Sequence, residues 1–378
     1  MDQRTTQMLF ALLRSAICGT KLTEKELDSY SPELLQSLLK ISSHHDLIHL
    51  LAYGLKLNDL VPEENTEIEK FIFKAVYRYE CLKYEYDNIC EALEKAHIPF
   101  LPLKGSVIRK YYPEPWMRTS CDIDILIHEK DIAKAKDALE DTLKYSPKGI
   151  GNHDVSFLSP NGVHFELHYK LLHSDNEDKY LKNIWEYARL KNGSEYEYEL
   201  SKEMFYYYHV YHMAKHFVGG GCGIKPFVDM WIMNSNGRSI AGFKHLPIKK
   251  TRLYRFAEES ARLCGVWFGQ DTHTDLTENM QKYIIFGGVY GNIKNKLAAN
   301  AHTNTNKLGY FLSRIWLPVE ILKLHYPEMK DNACKPLYQF KRWGKVLFSS
   351  KTRRTRNTHV PSVNRNADVE KMIKKLKL

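Results

Sequence analysis

Asp122 and Asp124 stand two residues apart in the stretch MRTSCDIDILI, residues 117–127, whose members Ile123, Ile125, Leu126 and Ile127 are those of a buried strand. Carboxylates are depleted from strands and costly to bury without a partner. On a strand, residues i and i+2 share a face with Cα atoms roughly 6.5–7 Å apart, close enough for two aspartates to share a divalent cation. Ile123 and Ile125 then point the other way, into a core. The stretch HFELH, residues 164–168, repeats the arrangement, with His164, Glu166 and His168 on one face and Phe165 and Leu167 on the other. If the two strands are neighbours, Glu166 completes a cluster of three carboxylates, which repel one another unless cations neutralise them. A pair of Mg²⁺ ions about 3.5–4 Å apart is the usual answer, clamping the attacking and leaving oxygens of a phosphoryl displacement. Alone, the two aspartates fit an exposed edge strand with ordinary acids equally well. The second strand shifts the balance.

Upstream, Gly105-Ser106 closes a short strand and opens a helix, a place where free backbone N–H groups meet phosphate. Lys104 and Arg118 supply cations near the same end of the sheet, suited to a triphosphate. Downstream, His212 and His216 of HMAKH lie four residues apart on an expected helix and face one way, a spacing that suits Zn²⁺. The metalloprotease pattern requires glutamate after the first histidine, but Met213 stands there, which disfavours a hydrolase. The run GGGCG, residues 219–223, reads as a loop, without the strand–helix context of a dinucleotide or P-loop site.

The elements that must hold these residues fall into four regions. Residues 1–95 read as helical. SPELLQSLLKIS opens with Ser31 as N-cap and Pro32 at the first helical position. IEKFIFKAVYRYECLKYEYDNICEALEKAH reads as one long helix, its aromatic positions Phe71, Tyr77 and Tyr84 expected in the core. Residues 96–172 read as strand (IPFLPL), helix (VIRKYY, stopped by Pro113), strand (CDIDILIH), amphipathic helix (KDIAKAKDALEDTLKYS) and a hairpin turned by Pro160-Asn161-Gly162. That β-α-β-α-β-β order predicts an α+β fold with a small mixed sheet and helices on a face. Residues 173–340 are again mostly helical in pattern, and 341–378 form a basic tail.

The chain has 378 residues and a formal net charge of +10. Residues 341–378 hold 12 Lys/Arg against Asp368 and Glu370, while the other 340 residues balance at 43 basic and 43 acidic. The basic excess therefore belongs to the tail, which is expected to be a solvated terminus able to meet RNA or an acidic partner, and the body carries no nucleic-acid signature. The seven cysteines are scattered and odd in number, without a CxxC pair. They fit reduced thiols of a cytoplasmic protein, and no secretory signal or membrane span stands out.

In this order, LKGSVIRKYYP, then Arg118 and CDIDILIH, then HFELH, the chain resembles the nucleotidyltransferase superfamily with the DNA polymerase β-type fold. It is more closely similar to an uncharacterised bacterial nucleotidyltransferase family with an LKG…YP…R…DIDLLV…H…ELH pattern. The likeness extends through HVYHMAKHFVGGGCGIKPFVDMW and LPVEILKLHYPEM. It implies that Gly105 and Ser106 bind an NTP, with Lys104, Arg109 or Arg118 on its phosphates. Asp122, Asp124 and Glu166 would hold Mg²⁺ or Mn²⁺, and Glu166 would help to deprotonate the acceptor. The reaction implied moves an NMP to an acceptor hydroxyl or phosphate of a small molecule, protein or RNA end, releasing pyrophosphate. His168 follows the ELH pattern with a structural hydrogen bond as its expected part. His212 and His216, with Lys225 and Asp229, are expected to line the cleft. The competing readings are a non-catalytic nucleotide-binding module and a zinc protein using His164, His168, His212 and His216.

Overall fold

The alternating residues 122–127 and 164–168 form two strands that pair in parallel at the heart of a mixed five-stranded sheet. The computed structural model describes residues 2–62, 65–151, 153–172, 178–235, 251–289, 291, 322, 326, 335–348 and 367–378. Helices α1 (Gln3–Cys18), α2 (Glu24–Asp28), α3 (Leu34–His44), α4 (Ile48–Leu57) and α5 (Thr66–Lys95) come first. Then follow β1 (Phe100–Pro102), α6 (Lys104–Ile108), β2 (Asp122–Ile127), α7 (Ile132–Asp137), β3 (Ser146–Ile150), β4 (Asp154–Leu158) and β5 (His164–His168). Beyond the sheet lie α8 (Lys179–Lys182), a ribbon of β6 (Ala188–Leu190) and β7 (Tyr198–Leu200), α9 (Lys202–Val218), α10 (Lys225–Ser235), α11 (Leu253–Phe268) and α12 (Asp275–Gly287). Two further helices span Lys335–Phe348 and Ala367–Lys375. The architecture is α+β, as the pattern predicts.

Strand order is β1-β2-β5-β4-β3, with only β2 and β5 parallel. The pleat sorts the residues. Ile123, Ile125, Ile127, Phe165, Leu167, Val155 and Phe157 take one face and are buried against Leu82, Ile89 and Leu93 of α5 and Ile132 and Ala135 of α7. Asp122, Asp124, Glu166 and His168 take the other. There Leu101 and Leu126 join the larger helical core built from α1, α4, α9, α10 and α11. The sheet is thus anchored on both sides, and its acidic stripe sits at the boundary between the two cores. Among the described residues no helix is long and apolar enough to cross a membrane.

Four local features differ from the pattern reading. α3 starts at Leu34 with Glu33 as an N-cap that makes no side-chain cap, because the Ser31 hydroxyl donates to the Glu33 carboxylate at 2.7 Å instead of serving the helix. On α5, Ile68, Ala75, Leu82 and Ile89 repeat every seven residues and are buried, whereas Tyr77 and Tyr84 lie two positions on, roughly 200° around the helix, and are exposed. Phe71 is half-buried against the helical core, so the expected aromatic core stripe is split. β3, Ser146–Ile150, adds an edge strand to the expected order, with an irregularity between Pro147 and Gly149. Of the expected tail, residues 349–366 lie outside the described residues, and the helix Ala367–Lys375 is packed against the core. Val369, Met372, Ile373 and Leu376 are buried in the helical core beside α12, while Lys371, Lys374, Lys375 and Lys377 face outward.

Two buried histidines of the N-terminal helices make stability fall in acid. His45 faces the Ile285 carbonyl at 3.2 Å and His49 the Met117 carbonyl at 2.8 Å. Burial pushes both down to about 4, helped by the His44 charge at the first and by Lys225 and Arg78, against Asp46, at the second. The unfolded chain takes up these protons near 6.5, the native state only near 4, so the unfolded state binds more protons between those values. Their stabilising contribution is complete above pH 6.5 and is lost as pH falls towards 4. At pH 5 the loss is about 2 kcal/mol per histidine. Urea unfolding at pH 7 and pH 5 checks this, with a lower midpoint expected at pH 5; equal midpoints contradict it.

Candidate active site

The parallel register sets Asp122 opposite His164, Asp124 opposite Glu166 and Leu126 opposite His168. Asp124 is 2 % exposed, and its Oδ1 accepts from the Lys104 ammonium at 2.7 Å and from His168 Nε2 at 2.8 Å. His168 Nε2 also lies 3.4 Å from Glu166 Oε2. Ligand atoms of Asp124, Glu166 and His168 come within 4.8 Å of one another. Asp122 is outside that compass. It is half-buried, and no described residue donates a hydrogen bond to its carboxylate.

The charges follow from this packing. Burial works against the Asp124 carboxylate, but Lys104 and the His168 hydrogen bond outweigh it and hold Asp124 well below the usual carboxylate range. Burial also opposes charge on Lys104 and His168. The Asp124 carboxylate raises Lys104, and bonds to Asp124 and Glu166 lift His168 to about 9. Asp122 moves the opposite way from Asp124: burial, then repulsion from Asp124, raises it. One aspartate is doubly neutralised by protein cations, and its neighbour is left unpaired.

Lys104 reaches Asp124 through an uncommon backbone. Leu103 donates its N–H to the Asp124 carbonyl at 3.0 Å, and Lys104 then turns with φ +45°, a left-handed conformation unusual for a residue with a side chain. α6 begins there without a side-chain cap. Gly105 is buried where a Cβ would stand 3.2 Å from Ser120 Cβ and Oγ, so Ser120 occupies the space a side chain would need. Ser106 is half-buried in the same first turn.

The two arginines are engaged inside the protein. Arg109 donates to the Gly105 carbonyl at 2.9 Å and to Ser120 Oγ at 2.8 Å, and burial lowers it to about 10. Arg118 grips fully buried Asp229 with two bonds, 2.7 and 2.9 Å, and Tyr112 adds a third at 2.6 Å. Lys225 pairs with Asp46 and donates to the Thr119 carbonyl at 3.2 Å. Asp229 therefore lines no surface, and Lys225 is spent on a largely buried ion pair. Together these bonds pin the loop 118–120 that delivers Asp122 to its strand.

His212 and His216 share one face of α9, their Nε2 atoms 3.1 Å apart. Among the described residues the group of three or more able to hold a metal is Asp124, Glu166 and His168; His164, His212 and His216 do not join it. Tyr208, one turn before His212, is the residue the pattern reading overlooked. Burial raises its phenol, and the charges acting on it are Lys104, Asp124, Glu166 and Asp122. In the run FYYYHVYH it looks like one more core aromatic. Asp154 and Ser156 also stand on this face, opposite His168 and Glu166.

A family model described as an uncharacterised nucleotidyltransferase matches residues 31–269, about five-eighths of the chain. That span contains α5, the whole sheet, α9 and α10. The stretch LPVEILKLHYPEM lies past it and, apart from Leu322 and Tyr326, outside the described residues. No curated protein and no solved structure gives a significant match.

Proposed function

The chain belongs to the uncharacterised nucleotidyltransferase family, and from that premise we propose that it moves an NMP from an NTP to an acceptor hydroxyl or phosphate, releasing pyrophosphate. The observation that carries the reading is the juxtaposition of Asp124, Glu166 and His168 within 4.8 Å, with Asp122 unpaired on the same sheet face. The donor set fits a divalent cation, because hard carboxylate oxygens suit Mg²⁺ or Mn²⁺. Asp122, Asp124 and Glu166 would hold it, with His168 donating to Asp124 beside it. When bound, such an ion neutralises the triphosphate and makes the α-phosphorus open to attack.

The remaining work falls to the chain. Backbone N–H groups of Gly105 and Ser106, in an uncapped first turn, are free to meet phosphate oxygens. Lys104 offers its ammonium to the same oxygens. Glu166, 26 % exposed at its side chain, accepts the proton of the attacking hydroxyl, and the sheet holds both partners in line. Arg109 and Arg118 are bonded to Gly105, Ser120 and Asp229 and brace the loop that leads into Asp122.

Calorimetric titration with ATP, CTP, GTP and UTP tests the donor side. Binding of one preferred NTP in the presence of Mg²⁺ or Mn²⁺, lost on chelation with EDTA, is expected. Metal-independent binding, or binding of none of the four, contradicts the reading.

A further inference from the structure

Both hydrogen bonds to the Asp124 carboxylate fall on one of its two oxygens. Lys104 Nζ lies 2.7 Å from Oδ1, and His168 Nε2 lies 2.8 Å from the same atom. Among the described residues Oδ2 accepts no bond. Asp124 is the middle carboxylate of the three, opposite Glu166 in the parallel register and two residues along the strand from Asp122. A pair of divalent ions about 3.5–4 Å apart needs such a carboxylate to face both of them. Here one of its oxygens is already taken twice, and an ion at Oδ1 would have to expel both donors.

The backbone brings the ammonium to that oxygen. β1 pairs with β2 so that Pro102 stands opposite Ile125, and Leu103 then donates its N–H to the Asp124 carbonyl at 3.0 Å. Lys104 follows with φ +45°, a conformation that suits glycine and that a lysine keeps only where its surroundings hold it. Behind it, Gly105 is packed against Ser120, 3.2 Å from where a Cβ would stand. The Lys104 side chain remains 25 % exposed, so its ammonium is open to the site. An ammonium has three donors, and Asp124 Oδ1 takes one of them. Two are left for phosphate oxygens, which sets Lys104 between carboxylate and phosphate, where a metal ion would otherwise stand. The charges agree. Against three carboxylates stand the Lys104 ammonium and, when protonated, His168, so at most two negative charges remain for one divalent cation to balance.

On the nucleotidyl-transfer reading above, we propose that Lys104 is the built-in second cation of this site, so that a single divalent ion completes it. Asp122, Glu166 and the second oxygen of Asp124 are left for that ion. Three clustered carboxylates by themselves lead to the expectation of an ion pair, and the lysine takes the place of one member. The other cations nearby are committed elsewhere: Arg118 to Asp229, Arg109 to Gly105 and Ser120, and Lys225 to Asp46.

Counting bound Mn²⁺ by equilibrium dialysis decides the matter, with the full-length protein saturated by the α,β-methylene analogue of the preferred NTP. The wild type is expected to hold one Mn²⁺ per complex, and Lys104→Arg, which keeps the charge, the same. Lys104→Gln removes the charge, and Lys104→Gly also relieves the backbone at φ +45°. Each of these two is expected to hold a second Mn²⁺, close enough to the first for their spin-resonance lines to broaden by mutual coupling. Where Lys104→Gln fails to fold, Lys104→Gly carries the comparison. Two ions in the wild type, or no second ion in either uncharged variant, overturns the assignment of Lys104. Wild-type protein that binds neither the analogue nor Mn²⁺ contradicts the nucleotidyl-transfer reading itself, a separate failure.

Discussion

Replacing Asp122 with asparagine is expected to reduce turnover by about a thousandfold or more without lowering the melting temperature. The two halves of that expectation have one cause. Asp122 accepts no hydrogen bond from the described residues, and burial and the Asp124 charge both disfavour its ionised form. An amide of the same shape relieves that repulsion, so stability holds or rises while a cation ligand disappears. Asp124→Asn is expected to abolish activity too, with a different signature. It removes the carboxylate to which the Lys104 ammonium and the His168 ring both donate. Breaking a buried pair by deleting one partner costs about 3–5 kcal/mol, so this variant melts at a clearly lower temperature. Thermal unfolding of the two variants side by side, with a turnover assay, separates the cases. Full activity in Asp122→Asn contradicts the cation assignment.

The second large effect lies at Asp229, 111 residues from its partner in sequence. Asp229→Ala leaves the Arg118 guanidinium and the Tyr112 hydroxyl without their shared acceptor in a site of zero exposure. The cost is about 3–5 kcal/mol, and a fall in melting temperature on the order of 5–10 °C follows. The double variant Arg118→Met/Asp229→Leu fills the same space without charge and is expected to recover most of that loss. It also asks what Arg118 is for. If Arg118 serves only to tie loop 118–120 to α10, the double variant keeps its affinity for the NTP. Loss of NTP affinity at recovered stability returns Arg118 to the phosphates. An unchanged melting temperature in Asp229→Ala contradicts the structural role.

Local patterns in the chain foretell the sheet well. DIDILI and HFELH alternate with period two, and Pro160-Asn161-Gly162, with Gly162 at φ +81°, turns the hairpin between β4 and β5. These signals are short-range, so one chain is enough to read them. β3 escapes because an exposed edge strand with Pro147 and Gly149 needs no alternation to bury anything. Tyr77 and Tyr84 mislead because a 30-residue helix outruns the surface available to cover it. Charge pairing is the least legible feature. Lys104 and Arg118 look alike as phosphate-binding cations in sequence, yet one faces the acidic stripe and the other is held by Asp229. Only the folded register tells them apart. Tyr208 is hidden for a related reason, since nothing in FYYYHVYH marks which tyrosine faces the cluster.

The most direct test of the account follows where the phosphorus goes. The purified protein is incubated with Mg²⁺ or Mn²⁺, a soluble extract of its source cells as the acceptor pool, and the preferred NTP labelled at either the α- or the γ-phosphate. The account predicts a product that carries the α label, γ label recovered as pyrophosphate, and no α-labelled product with Asp122→Asn. A product that carries the γ label, or α label transferred equally well by the variant, contradicts nucleotidyl transfer at this site.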